Sequence, residues 1–427
     1  MKKYFLAVAS FFIYSHISLG QVYPGQMDST FVPVRSHHYD PELTFDFCVN
    51  EPAWNNQAGI HSAFGSTDRL YFRKEVPVNH DNDLSSSYST TVWRGERANA
   101  QILVWSSEAL EQVRVSTQDL RSAEGNIIPK DRITFELVRY VLSNYPYAEK
   151  KAICGESPYK SGFLMPDRFE TLDRFDLPSQ TTRPVWMMVD VPRGTAPGTY
   201  KGQVEVRAKG KAPQLLNLEI VVQKQLLPYP KDWKYRLDLW QNPWAVAWYN
   251  HVEPWSPEHK MLLKQHLKHY ADAGGTYITT YGVHSPWSDN SYMIEGGMIE
   301  WIKKADGTWA FDYKIFDEYV ELAMECGIDE AITLYTPIPW GFRHRYKDEA
   351  TGDYSYINWA PSSEEFKKMW NIFLTDFKFH LEAKSWLDIT YIGINENPME
   401  ETLAAINVVR NHDKCWKITY AGNWHKE

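Results

Sequence analysis

The sequence contains no pair of closely spaced cysteines. Its four cysteines, Cys48, Cys154, Cys326 and Cys415, lie far apart along 427 residues. This spacing fits neither a zinc cluster nor a disulfide framework, so single, mostly buried thiols are expected. The chain also lacks a block of basic residues and has a net charge of −9. Both features argue against nucleic acid as the partner.

No stretch after the N-terminus is long and apolar enough for a membrane segment, so the mature form should be soluble. Residues 1–20 read MKKYFLAVASFFIYSHISLG. Two lysines, a short apolar run and then small residues are typical of a secretory signal peptide; a buried N-terminal strand is the alternative. No cysteine follows the small residues, so a lipid anchor is not expected there. We therefore expect an exported protein, periplasmic or extracellular after removal of the signal.

Aromatic residues, in contrast, are abundant, with 18 Trp and 26 Tyr. Most of them are expected to fill hydrophobic cores, because aromatic side chains bury large areas. A surplus of Trp in an exported protein also suits a cleft in which flat rings stack on sugar faces. The composition therefore suggests a carbohydrate ligand.

The length of the chain suits two domains. Between about residues 30 and 225, short apolar segments alternate with turn residues, which predicts strands rather than long helices. The stretch LLPYPKDW, residues 226–233, contains two prolines and predicts a boundary. We predict an antiparallel β-sandwich over residues 21–228 as the N-terminal domain.

The second domain, residues 229–427, alternates strictly between strand and helix patterns. The helix patterns cover residues 256–273, 312–327, 362–384 and 398–413, and the strand patterns cover 235–241, 276–282, 330–336, 389–395 and 416–422. This alternation predicts parallel strands covered by helices. No glycine-rich phosphate loop follows the first strand, which argues against a dinucleotide fold. Long loops after the second and third strands are typical of the catalytic face of a (β/α)8 barrel.

A complete barrel has eight strands and about 250 residues, whereas the second domain is shorter and has five predicted strands. We therefore expect a (β/α)8 TIM-type barrel of which only about the first five strands are present, in a fragment of a longer polypeptide. For a chain of this kind on its own, low solubility and little turnover are expected. A complete, five-stranded open α/β sheet is the alternative.

Candidate site residues are found at the predicted strand ends, because catalytic groups of parallel barrels lie there. The candidates for substrate binding share polar or aromatic side chains and are Asp238, Trp240, Gln241, His284, Trp287, Tyr335, Trp340, Asn423 and His425. A structural ion pair is the alternative for Asp238, and packing is the alternative for the tryptophans. His284 and His425 have no third ligand at suitable spacing, so we expect hydrogen bonding there and neither a metal nor a cofactor.

The stretch NENPME ends the fourth predicted strand. Asn397, Pro398 and Glu400 fit a helix start, with Asn397 as N-cap and Glu400 closing a capping box. Glu396 has no such structural explanation and is the candidate proton donor. Neighbouring strand residues face opposite sides, so Asn395 and Glu396 can converge only where the strand ends or bulges.

Six ordered stretches carry a resemblance to a known family: WRGERANAQILVW, LDLWQNPWAVA, VHSPW, WIKKADGTWAFDYKIFDEYVELAMECGID, NENPMEE and KITYAGNWHKE. Together, from about residue 90 to the end, they resemble glycoside hydrolase family 123, the β-N-acetylgalactosaminidases. The resemblance implies a β-sandwich followed by a (β/α)8 barrel that continues beyond residue 427. It also implies release of terminal β-linked N-acetylgalactosamine (β-GalNAc) from a glycan by retaining, substrate-assisted catalysis, an exception to the two-carboxylate scheme.

In this mechanism the 2-acetamido oxygen of the substrate attacks the anomeric carbon, and a glutamic acid protonates the leaving oxygen. A neighbouring aspartate orients the acetamido group. By resemblance Glu396 matches the acid, whereas Asn395 replaces the aspartate and Asn397 replaces an arginine. An asparagine carbonyl can accept the acetamide N–H, but it has no charge to offset the developing cation. We therefore expect a rate reduced by about 10²–10³.

Two other functions fit the same residues. Asn-Glu-Xaa-Pro at the end of a fourth barrel strand also resembles retaining glycosidases with two carboxylates, in which the asparagine binds a 2-hydroxyl. A non-catalytic glycan-binding protein, in which Asn395 marks the loss of catalysis, is the alternative outside enzymes. A thiazoline that mimics the oxazoline intermediate separates the two hydrolases, because it should inhibit only the substrate-assisted one.

Overall fold

The computed structural model describes four ranges of the chain: residues 51–77, 84–143, 163–287 and 296–422. The predicted signal peptide and the site candidates Asn423 and His425 lie outside these ranges. The chain divides into two compact units between Leu227 and Pro228. Within the described ranges, no helix is both long and apolar enough to cross a membrane.

The N-terminal unit is built from strands, as its turn-separated apolar segments predict. Its strands are β1 (His61–Gly65), β2 (Ser87–Arg94), β3 (Arg97–Ser106), β4 (Leu110–Thr117), β5 (Leu120–Arg121), β6 (Ile127–Ile128), β7 (Ile133–Ser143), β8 (Phe163–Thr171), β9 (Phe175–Leu177), β10 (Thr181–Asp190), β11 (Gly198–Arg207) and β12 (Gln214–Leu226). They form two sheets, with the orders β1-β3-β10-β7-β8 and β2-β12-β11-β4-β9, and β5 and β6 extend the second sheet beside β11. Buried side chains of both sheets, including Ile102, Met187, Tyr200 and Ile220, form one hydrophobic core.

One strand pair departs from the predicted antiparallel arrangement. β2 and β12 run parallel, with Asn217 opposite Ser87 and Val222 opposite Val92. Parallel neighbours require a crossover between them, and here most strands of both sheets lie between β2 and β12 in the sequence. Patterns within single strands carry no information on such a distant pairing, so the prediction was wrong at this edge.

The C-terminal unit alternates between strands and helices. Its elements are α1 (Pro243–Asn250), α2 (Pro257–Asp272), β13 (Tyr277–Tyr281), β14 (Glu300–Lys303), β15 (Trp309–Asp312), α3 (Lys314–Glu325), β16 (Ala331–Tyr335), β17 (Arg343–Asp348), β18 (Tyr354–Asn358), α4 (Glu364–Lys384), β19 (Thr390–Ile394), α5 (Met399–His412) and β20 (Lys417–Tyr420). β13, β16, β19 and β20 form a parallel sheet in this order. They coincide with the last four predicted strands, and α2 to α5 coincide with the predicted helices.

Helix starts in this unit follow the expected capping chemistry. The Ser256 side chain accepts the N–H of His259 at the start of α2, and the Ser363 side chain accepts the N–H of Phe366 at the start of α4. A serine oxygen thereby satisfies a backbone donor that has no partner within the helix. Helix α1 was not predicted, and Asn242 caps it by accepting the Ala245 N–H at 3.2 Å.

The first predicted strand, residues 235–241, is not a strand in the structure. Only Leu237 forms an isolated parallel bridge, with Gly275. Side chains replace the missing ladder: the Tyr270 hydroxyl lies 2.8 Å from the Leu237 carbonyl, and Gln241 Oε1 accepts the Thr279 N–H at 2.9 Å. The apolar pattern predicted an extended segment, but it carries no information on which groups satisfy the backbone.

The two long loops after β13 and β16 form a sheet of their own, in the order β15-β14-β17-β18. β14 pairs in parallel with β17, which joins the two loops. Trp301 of β14 is buried and stacks on Phe373 of α4, with ring centroids 4.9 Å apart. These loops therefore contribute to the core of the unit.

Candidate active site

The C-terminal ends of the parallel strands lie along one edge of the sheet. Tyr281 is opposite Tyr335, Tyr335 is opposite Gly393, and Ile394 is opposite Tyr420. Parallel strands that pair in this register end at the same level. The residues that follow these ends therefore gather at this edge.

Four aromatic side chains form a cluster at this edge. The Trp240 ring lies 4.9 Å from the ring of Trp287 and 4.8 Å from that of Tyr335, measured between centroids. Tyr281 meets Trp287 edge to face at 5.3 Å. Tyr281, Trp287 and Tyr335 are buried, whereas Trp240 is 46% exposed. Within this cluster, Trp240 presents the accessible aromatic surface.

Gly393 allows the Tyr335 ring to pack closely over β19. A Cβ atom at Gly393 would lie 2.9 Å from two carbons of the Tyr335 ring and 3.0 Å from Thr333. Carbon atoms do not approach this closely without a shift. β19, which ends just before Asn395, is therefore in direct contact with the Tyr335 ring that packs against Trp240.

Asp238 and Gln241 belong to the segment that replaces the first predicted strand. Gln241 is bound to β13 through Thr279, so its amide oxygen is already used by the protein. Asp238 is exposed as a residue, yet partial burial of its carboxyl raises the pKa of Asp238 above the usual value. Burial, and then the charge of Asp238, raise the pKa of Tyr335, which indicates that Asp238 lies close to the aromatic cluster.

His284 is a neutral group at this edge. Burial, followed by the positive charges of Arg345 and Arg343, lowers the pKa of His284 to about 4. The ring is therefore uncharged at neutral pH and can both donate and accept a hydrogen bond. In the described ranges, no group of three His, Cys, Asp or Glu side chains could hold a metal ion.

Trp340 borders the loop that carries His284 and Trp287. Its backbone N–H donates to the Pro286 carbonyl at 2.9 Å, and its partly buried ring packs on the core of the unit. This hydrogen bond ties the loop after β16 to the loop after β13. The structure thus brings Trp340 to the site edge, next to the residues with which it was predicted.

Asn395 and Glu396 both follow the end of β19 at Ile394, so the strand alternation no longer constrains them. Their environments differ: Asn395 is buried and Glu396 is exposed. Asn395 Oδ1 accepts a hydrogen bond of 2.6 Å from Asn397 Nδ2. The site therefore places an accessible carboxyl beside a buried amide.

The predicted helix cap in this stretch is wrong by one residue. Helix α5 begins at Met399 with Pro398 as its N-cap, and no side chain caps it. Instead of capping, Asn397 Nδ2 donates to the Ile338 carbonyl at 3.2 Å. The residue before a proline is disfavoured in helical conformation, and the buried Ile338 carbonyl offers Asn397 a partner outside the helix.

Tyr420 and Gly422 were not among the predicted site residues. The pKa of Tyr420 is raised by burial and then by the charge of Glu396, so the two side chains are near each other. A Cβ atom at Gly422 would lie 2.5 Å from the Tyr420 hydroxyl and 3.0 Å from Glu396 Cα. The signal in the sequence that could identify Tyr420 is its position at the end of the fifth predicted strand.

These features define a class of protein with two units. The N-terminal unit consists of β-strands, and the C-terminal unit is α/β and enzyme-like, with a carboxyl at its strand ends. The model of the glycoside hydrolase 123 catalytic domain matches residues 240–427, and that of the glycoside hydrolase 123 N-terminal domain matches residues 64–208. The chain belongs to glycoside hydrolase family 123.

A solved structure supports this assignment. A family 123 glycoside hydrolase from Clostridium perfringens, described for glycolipid glycan hydrolysis, matches with a TM-score of 0.77 and 26% identity over 87% of this chain and 64% of that chain. The chain thus spans less than two thirds of that enzyme.

Two other glycoside hydrolases match weakly. A family 39 enzyme from Bacteroides cellulosilyticus WH2 has a TM-score of 0.24 at 13% identity, over 73% of this chain and 49% of that chain. A family 5 xyloglucanase from Bacteroides ovatus has a TM-score of 0.21 at 10% identity, over 78% of this chain and 63% of that chain. A search of the curated proteins finds no match.

Proposed function

We propose that the protein is an exported, exo-acting glycoside hydrolase that releases terminal β-GalNAc from glycans by retaining, substrate-assisted catalysis. The observation that carries this proposal is the accessible carboxyl of Glu396 beside buried Asn395, at the ends of parallel strands in a family 123 chain. Family membership supports a glycan substrate. The exposed face of Trp240 suits the apolar face of a sugar ring.

In the first step the 2-acetamido oxygen of the substrate attacks the anomeric carbon. The bond from this carbon to the leaving oxygen breaks, and Glu396 donates its proton to that oxygen. In the second step water attacks the anomeric carbon of the oxazolinium intermediate, and the bond from this carbon to the acetamido oxygen breaks. The Glu396 carboxylate accepts a proton from the water, which restores the acid and the 2-acetamido group. Among the other candidates, Asp238, Trp240, His284 and Trp340 contact the sugar. Buried Trp287 and Tyr335 support the Trp240 ring, and Gln241 supports the segment of Asp238.

The same proposal covers the architecture. The two β-sheets around one core support a β-sandwich over residues 21–228. The alternation from α2 to β20 supports the first part of a (β/α)8 barrel over residues 229–427, in which residues 235–241 occupy the place of the first strand. Secretion rests on the signal-like residues 1–20.

Hydrolysis of aryl β-GalNAc by the full-length protein tests the proposal. We expect release of the aryl group, retention of configuration and inhibition by a GalNAc-thiazoline. Hydrolysis that resists the thiazoline would favour a two-carboxylate mechanism instead. Binding of β-GalNAc with no release of the aryl group by the protein or by Asn395→Asp would identify a glycan-binding protein and contradict the proposal.

A further inference from the structure

The side-chain amides of Asn395 and Asn397 form a hydrogen-bonded chain that ends on a backbone carbonyl. Asn397 Nδ2 lies 3.2 Å from the Ile338 oxygen and 2.6 Å from Asn395 Oδ1. A backbone carbonyl only accepts hydrogen bonds, so Asn397 must direct its NH2 group towards Ile338. The second N–H of that group donates to Asn395 Oδ1. We call this arrangement of Ile338, Asn397 and Asn395 the amide lock.

Within the described ranges, the amide lock leaves the NH2 group of Asn395 without an acceptor. Asn395 is 0% exposed, and its Nδ2 has no hydrogen-bond partner in the part of the chain that the structure describes. A buried donor without a partner is unfavourable. An acceptor atom of a ligand at this position would remove that penalty.

On the basis of the proposed function, we propose that Asn397 is a positioning residue that holds Asn395 as a hydrogen-bond donor towards the sugar. The sugar atom that Asn395 contacts is then an acceptor: an oxygen of the 2-acetamido group or 2-hydroxyl, or the ring nitrogen of a neutral oxazoline. The N–H of an acetamido group finds a donor at this position instead of an acceptor. The acetamido group is therefore not held in the orientation for attack, and turnover is slow.

The two side-chain amides of the amide lock cannot exchange their donor and acceptor ends without unfavourable contacts. Rotating the Asn395 amide alone would bring two NH2 groups together. Rotating both amides would place Asn397 Oδ1 against the Ile338 carbonyl, which is also an acceptor. The Asn397 backbone is fixed as well, because its carbonyl accepts from Thr402 Oγ1 at 3.2 Å.

The test is Asn397→Leu in two backgrounds of the full-length protein, with an aryl β-GalNAc as substrate. Leu has nearly the shape of Asn but makes no hydrogen bond, so the Asn395 amide can rotate and accept the acetamide N–H. We expect kcat to rise about 5- to 150-fold in the wild-type background. In the Asn395→Asp background Asn397 donates to the new carboxylate, so we expect Asn397→Leu to lower kcat about 10-fold.

The change in kcat caused by Asn397→Leu is expected to have opposite signs in the two backgrounds. A purely structural role of Asn397 would give a loss in both, so the comparison identifies a positioning role. Thr402→Val is the matched control, because it loosens the Asn397 backbone without changing the amide polarity, and it should lower kcat in both backgrounds. If Asn397→Leu also lowers kcat in both backgrounds, or leaves the wild-type value unchanged, the proposal is wrong.

A binding measurement tests the donor assignment without turnover. Above the pKa of its ring nitrogen, a GalNAc-thiazoline presents an acceptor to Asn395. We expect calorimetric titration to show wild-type binding about 10-fold tighter than binding by Asn395→Asp under these conditions. Equal or weaker wild-type binding would overturn the donor assignment. Failure of every variant to hydrolyse β-GalNAc, with this binding preference intact, would instead overturn the proposed function.

Discussion

Glu396 and Glu400 lie in one short stretch but in different chemical positions. Glu400 is in the first turn of α5, where the helix N-terminus stabilises a negative charge. Glu396 precedes the helix, at the strand-end edge and close to Tyr420. The position of Glu400 therefore has a structural explanation, whereas that of Glu396 suits a proton donor.

We expect Glu396→Gln to lower kcat for substrates with poor leaving groups by about 10²–10⁴, because the leaving oxygen loses its acid. The loss should be much smaller for a dinitrophenyl glycoside, whose leaving group needs no proton. Glu400→Gln is the matched control and should retain wild-type kcat. Steady-state kinetics over a series of aryl β-GalNAc substrates measures this, and an equal loss for all leaving groups would contradict the acid role.

Asn395→Asp should raise kcat for aryl β-GalNAc by about 10²–10³, because a carboxylate accepts the acetamide N–H and offsets the developing positive charge. Asn397 supplies a hydrogen bond to the new carboxylate. Asn371→Asp makes the same chemical change on an exposed position of α4 and should leave kcat unchanged. Side-by-side kinetics of the two variants checks this, and no gain for Asn395→Asp would speak against a catalytic role of this position.

At the scale of single residues, the sequence shows which residue types follow the predicted strands. It does not show which groups those side chains bind by hydrogen bonds. Asn397 was predicted as a helix cap because an Asn before Pro and Glu commonly has that role. Its partner, the Ile338 carbonyl, lies in a loop 59 residues earlier in the chain. No local sequence pattern reveals this partner. The Ile338 carbonyl nevertheless decides how the amides of Asn397 and Asn395 are oriented.

At the scale of elements, the parallel strands were predictable because buried strands read as continuous apolar runs. β13, β16, β19 and β20 each fall within a predicted segment. Residues 235–241 do not form the predicted strand because side chains replace the ladder to β13: the Tyr270 hydroxyl bonds the Leu237 carbonyl, and Gln241 accepts the Thr279 N–H of β13. The loop sheet of β14, β15, β17 and β18 was missed because such short strands resemble loops.

Gly393→Ala should destabilise the C-terminal unit by about 1–3 kcal/mol, because the new methyl group collides with the buried Tyr335 ring. Displacing this ring should also disturb Trp240 and weaken sugar binding. Gly194→Ala is the control, since a Cβ atom there meets nothing within 4 Å. Urea denaturation followed by Trp fluorescence measures the change, and equal midpoints for both variants would contradict the predicted collision.

At the scale of the whole molecule, buried neutral histidines couple stability to pH. His344 Nδ1 donates to the Phe342 carbonyl at 3.0 Å, and its Nε2 accepts from Trp370 Nε1 at 3.2 Å. Burial lowers the pKa of His344 to about 4 from the usual 6.5. The ring is therefore held neutral, and protonation would remove the bond from Trp370.

The free energy of unfolding should be highest above pH 6.5 and fall as the pH decreases towards 4, because in this range the unfolded chain binds the proton more tightly. The difference between pKa values of 6.5 and about 4 corresponds to about 3 kcal/mol for His344. His344→Gln should reduce this pH dependence, whereas His269→Gln, at an exposed position, should preserve it. Denaturation curves at several pH values measure this pH dependence. If the free energy of unfolding of His344→Gln changes with pH as steeply as that of the wild type, His344 is not its source.

The division into two units follows from a change of pattern that is visible in the sequence, and the boundary lies at the two-proline stretch. The parallel pairing of β2 with β12 was not visible, because pairing between distant strands depends on the completed sheet. Local periodicity thus predicted, for most segments, which of them form strands and which form helices. It did not predict which distant segments become neighbours.

The Tyr270 hydroxyl has a consequence for local opening of the folded chain. This single group lies within hydrogen-bond distance of the carbonyls of Leu237 and Tyr277, and it accepts the Leu239 N–H. The position of residues 235–241 therefore depends on the packing of α2, which holds this side chain in place. Any local opening of α2 also releases the segment of Asp238 and Trp240, so we expect the amides of this segment to exchange with solvent earlier than those of β13.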